Sequence, residues 1–95
     1  MVGVATVRRM QVSDHAREYE VLAMRLLLAW LHDDPAETAY HCWAIAAESG
    51  CNHRQFQVAN RTAREAAGWW KASGRTEDGR QRINAKLEKL TGVPA

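Results

Sequence analysis

Cysteine is scarce, with only Cys42 and Cys51 among 95 residues, too few for the disulfide frameworks that small secreted domains depend on. Long apolar runs are missing too. The longest, Val21 to Leu31, is interrupted by Arg25 and falls well short of the ~20 residues that span a bilayer. No charged segment followed by an apolar core and a cleavage site stands at the amino terminus. No glycine-rich phosphate loop occurs, and low-complexity tracts and internal repeats are absent. These absences set the expectation of a reduced, cytoplasmic setting with free thiols and no membrane partner.

What remains is an ordinary globular composition, 46% hydrophobic and 25% charged, enough for one small domain with a modest core. Charge is unevenly placed. Residues 1–52 carry four basic side chains against seven acidic ones, a net of −3, whereas residues 53–95 carry nine against four, a net of +5. Such a step suggests either a face that meets an anion or two halves that attract each other.

Apolar spacing predicts an all-α fold, a small four-helix bundle that includes a helix-turn-helix-like hairpin. Residues 1–12 alternate weakly and read as a flexible arm or a short strand, leaving 13–95 as the helical domain. A first helix is expected from Ser13 or Asp14 to about His32, apolar on nearly all sides and therefore central. Asp34-Pro35-Ala36-Glu37 opens the second helix with a capping carboxylate, a proline where no amide bond is needed, and a glutamate able to reach back. Ala36, Ala39, Tyr40, Trp43 and Ala47 share one of its faces, and Gly50 is suited to the left-handed turn that stops it. Asn52-His53-Arg54-Gln55 forms a capping box, flanked by Cys51 and Phe56 at staple spacing. The third helix should carry Phe56, Ala59, Ala63, Ala66 and Trp70 on one side and end at Gly68 or near Gly74. A short fourth helix is expected from Asp78, with Ile83, Leu87 and Leu90 buried, closed by Gly92 and Pro94.

The stretch from Ile45 to Arg61 resembles the helix-turn-helix motif of transcriptional regulators. Ala46 supplies its small residue in the first helix, Gly50 its turn, and Ile45, Cys51, Phe56 and Ala59 its inward positions. Val58 and Ser49 depart from the usual pattern. The resemblance implies a recognition helix presenting His53, Arg54, Gln55, Gln57, Asn60 and Arg61 to DNA bases. Arginine suits guanine there, and glutamine or asparagine suits adenine. Arg64, Arg80 and Arg82, with Lys71 and Arg75, would hold flanking phosphates. A dimer is expected, since one small recognition helix gives limited affinity.

The sequence supports a second function from a different class, a helical adaptor or inhibitor that binds a partner protein through Trp69, Trp70 and the basic fourth helix. Adjacent helix positions cannot both face one core. The competing structural assignment sets Trp70 in the Phe56 stripe and Trp69 beneath the fourth helix. Arg25, alone in the apolar run, is expected to form a buried ion pair, with Glu48 or Glu20 as partner, or to snorkel to the surface. His41, Cys42, Cys51 and His53 have zinc-binding atoms but poor spacing, because His41 and Cys42 diverge by about 100° on a helix. No oxyanion hole or strained turn accompanies Cys42, so no cofactor, metal or catalytic residue is assigned.

Overall fold

The computed structural model describes residues 2–92, with side chains from Ala16 onward, and contains no strand among them. Helices α1 (Val2–Trp30), α2 (Pro35–Glu48), α3 (His53–Ala72) and α4 (Thr76–Thr91) follow one another through short turns. The fold is all-α. The side chains of Ser13 and Asp14, and Pro94, lie outside the described residues. The helix begins at Val2 rather than at Ser13, so residues 2–12, expected as an arm or strand, are part of α1. Neither glycine nor proline occurs between Val4 and Asp34, so nothing in the backbone chemistry interrupts it.

α1 is the centre of the domain, packing against α2, α3 and α4. Leu22, Leu26, Leu27 and Ala29 of α1, and Leu31 just beyond it, are buried, Leu26 and Leu31 completely. Facing them, α3 contributes Ala59, Ala63 and Ala67 at four-residue intervals, and α4 contributes Ile83. Side chains that stop at Cβ let the two helix backbones come close while leucines fill the space between. Phe56, Trp70, Ile45 and Cys42 close the edges of this cluster.

The helix ends follow local chemistry. Asp34 accepts from the Ala36 amide at 2.8 Å, and the Thr38 hydroxyl donates to the Asp34 carbonyl at 3.1 Å, which satisfies the one buried polar side chain among the described residues. Glu37 does not reach back to the cap; its carboxylate lies 3.3 Å from His32 Nδ1. At the next junction Asn52 accepts from the Gln55 amide at 2.8 Å, and Gln55 accepts from the Asn52 amide at 3.1 Å. That is the capping box.

Gly50 is not left-handed. α2 stops instead at Ser49, whose hydroxyl oxygen accepts from the Cys51 amide at 3.0 Å and turns the chain. Gly68 lies inside α3, whose last residue is Ala72, and the left-handed Gly74 (φ +72°) follows two residues later. There the amides of Gly74 and Arg75 donate back to the carbonyls of Lys71 and Trp70, the pairing that a left-handed glycine permits. α4 starts at Thr76, two residues ahead of the expected Asp78, and Asp78 sits in its first turn.

Candidate interaction surfaces

The face of α2 that carries Ala36, Ala39, Tyr40, Trp43 and Ala47 points to solvent. Tyr40 is 64% exposed and Trp43 70%. The opposite face, with Thr38, His41, Cys42 and Ile45, is the one laid on the rest of the domain. Ala46, the small residue of the helix-turn-helix pattern, is exposed too, and α2 makes its extended contact with α1 rather than with α3. Ile45, Ser49, Cys51, Phe56 and Ala59 are each partly or fully buried. Along the outward stripe, residues at intervals of four, three and four present two aromatic rings between alanines. No lysine or arginine occurs from Asp33 to Ser49, while Asp33, Asp34, Glu37 and Glu48 do.

The residues expected at a nucleic-acid interface divide into two sets. His53, Arg54, Gln57 and Arg61 are exposed on α3, and Arg54 and Arg61 have no ion-pair partner among the described residues. The others are engaged inside the protein. Asn60 accepts from the Trp30 indole N–H at 2.8 Å. The Arg64 guanidinium lies 5.4 Å from the centre of the same ring. Gln55 is held in the capping box, and its amide, one of those a phosphate would use, is already bound to Asn52. Arg80 donates to the Leu31 carbonyl at 2.8 Å, while Lys71 Nζ donates to the His32 carbonyl at 2.8 Å. Arg82 pairs with Asp78 at 3.2 Å, and Arg75 bonds Asp78 as well. These two guanidinium groups, Arg75 first, hold the Asp78 carboxyl below its ordinary range.

The two tryptophans differ in burial, although their rings meet edge to face with centres 5.0 Å apart. Trp70 packs on the core and lies directly over α4, where a Cβ at Gly79 would stand 3.0 Å from its Cδ2. Arg75 covers the ring, 5.1 Å from its centre. Trp69 is not buried beneath α4; it is 58% exposed, and on the same helix Val58 is 49% exposed. Arg25 pairs with Glu48 at 3.7 Å across an open surface, an arrangement worth ~0–1 kcal/mol.

Burial pushes the Cys42 thiol above its usual pKa, opposite to what a nucleophilic thiolate needs. His32 and His41 stack with ring centres 4.9 Å apart, a pair that periodicity alone did not bring together because the turn at Asp33 separates them. Among the described residues no three His, Cys, Asp or Glu side chains are placed to share a metal ion. A cleft of about 490 Å³ between α1 and the α2–α3 turn is lined by Arg17, Arg25, Glu18 and Glu48, so its charges cancel in pairs.

Fold and surface together define a class, a four-helix all-α domain with an apolar helix face left without a neighbour. Comparison with protein-family models, with curated proteins and with solved structures gives no match.

Proposed function

We propose that this domain is a helical protein-interaction module that receives its partner on the outward face of α2. One observation carries the reading: Tyr40 and Trp43 stand exposed on an uninterrupted apolar stripe. Tyrosine and tryptophan are the side chains that most often dominate binding energy. Covering most of two such rings removes roughly 250 Å² from water and is worth about 6 kcal/mol before association costs. Those costs are estimated at about 4–15 kcal/mol, so the stripe acts as an anchor within a larger contact. Trp69 supplies a third exposed aromatic, on α3. The basic side chains of α4 contribute less than expected, since Arg80 and Arg82 already have internal partners.

The test is a photo-reactive residue placed at position 43 or, as control, at Gln57. Discrete adducts in cells are expected from position 43, reduced by Tyr40→Ser. Absence of any discrete adduct from position 43 overturns the reading.

A second reading, helix-turn-helix DNA binding through α3, is favoured by the outward, unpaired Arg54 and Arg61. It predicts duplex binding that survives physiological salt, with Arg54→Ala relaxing preference at one base pair at a cost of about 1–3 kcal/mol. The interaction module predicts only weak binding, indifferent to sequence and abolished by salt. Titration at two salt concentrations separates them.

A further inference from the structure

We infer that the outward face of α2 docks on the outward face of α3 in a second copy of this chain. The inference rests on reading α2 as the docking face and names its occupant.

Charge selects the partner surface. The α2 segment carries four acidic and no basic side chains from Asp33 to Ser49, with Glu37 and Glu48 exposed. Two α2 faces brought together would set acid against acid, offset only by Arg25 beside Glu48 at 3.7 Å and His32 beside Glu37 at 3.3 Å. The complement lies on the same molecule. On α3, Val58, Thr62 and Trp69 form an exposed stripe, and the Thr62 hydroxyl is already satisfied by the Val58 carbonyl at 3.0 Å. Burying that threonine therefore strands no donor. Arg54 and Arg61 run beside the stripe, exposed and without an ion pair among the described residues. Glu65 lies within the same stripe, three residues after Thr62 and four before Trp69, and is exposed, so it sets one acid against the two arginines.

The two stripes also match in length. Ala36 to Ala47 and Val58 to Trp69 each span twelve residues, about 16 Å of helix from first to last. Area then decides how many contacts form. A stable pair needs roughly 800 Å² from each partner, and the rings of one α2 stripe supply roughly 250 Å². A single α2–α3 contact is too small to hold alone. Two such contacts, related by a two-fold axis, bring each copy's α2 and α3 into use together.

Complementation tests this. Light scattering and sedimentation of the whole chain should converge on the mass of two chains as concentration rises. Trp43→Ala and Trp69→Ala should each weaken self-association roughly 30-fold while leaving the far-ultraviolet spectrum unchanged, since both rings are exposed. Mixed in equal amounts, the two variants should associate more tightly than either alone, because the mixed pair regains one contact with both tryptophans present. Arg61→Glu should weaken the wild-type pair more at low salt than at high salt. A chain that stays monomeric at the highest concentration, a Trp69→Ala variant that pairs like wild type, or a mixture no tighter than its components overturns the inference. If monomeric protein still gives a discrete adduct from position 43 with another protein, the interaction module stands and only the second copy is lost.

Discussion

α2 and α3 both lie on α1, yet they place alanine in opposite ways. In α3, Ala59, Ala63 and Ala67 face inward and set how closely two helices approach. In α2, Ala36, Ala39, Ala46 and Ala47 face outward around two exposed rings, while a threonine, a histidine and a cysteine turn inward. The same small residue thus marks a finished contact in one helix and an unfinished one in the other. Composition does not distinguish these cases. What does is the identity of the larger neighbours and the side on which charge collects, since α3 sends its arginines outward and α2 has none.

The comparison is anchored by the helix both of them share. Leu26→Ala should cost about 2–5 kcal/mol, because Leu26 is fully buried where α1 meets the rest of the domain. Chemical denaturation measures it, and a loss below 1 kcal/mol would mean that α1 is not the centre of the core. Next comes the contrast itself. Ala63→Leu should destabilise by about 1–3 kcal/mol through overpacking, whereas Ala47→Leu should stay within about 0.5 kcal/mol of wild type. Equal effects from the two would erase the distinction between the helices.

The caps test whether α2 and α3 start where the hydrogen bonds say. Asp34→Ala and Asn52→Ala should each lower stability by about 0.5–2 kcal/mol, with Asn52 expected to matter at least as much because it anchors both halves of a capping box. Unchanged unfolding midpoints would contradict those starts. The smallest expected effect concerns α4. Arg75 and Arg82 hold the Asp78 carboxyl low, so its contribution is present above about pH 4 and disappears as pH falls through the lowered pKa. Asp78→Asn should flatten that acid limb in thermal melts. An unaltered limb would assign it to other carboxylates.

Much of the helical plan was legible in the sequence because caps are local. Asp34 with Pro35, Asn52 with Gln55, and Gly92 each act within a few residues; the first two pairs start α2 and α3, and Gly92 ends α4. Ser49 in place of Gly50 shows the limit, because either residue can close that turn and only the path of the chain decides. Periodicity grouped Tyr40 and Trp43 on one face of α2 but said nothing about where that face points. That direction follows from which sides of α1 are already filled by α3 and α4, and no window of residues contains that information. Asn60, Arg64 and Arg80 looked like ligand-binding groups for the same reason. Their partners, Trp30 and the Leu31 carbonyl, lie 30 to 49 residues away in the chain.

The carboxyl end of α1 gives these distant partners a further meaning. No basic residue stands in its last turn. The Leu31 and His32 carbonyls just beyond it are met by Arg80 and Lys71, 49 and 39 residues later. The negative pole of the central helix is therefore neutralised by cations that arrive only when α3 and α4 are in place. An isolated α1–α2 hairpin would expose the leucines of α1 and leave that pole facing water. The stability of α1 is thus coupled to the last third of the chain, by about 0.3–1 kcal/mol for each such cation.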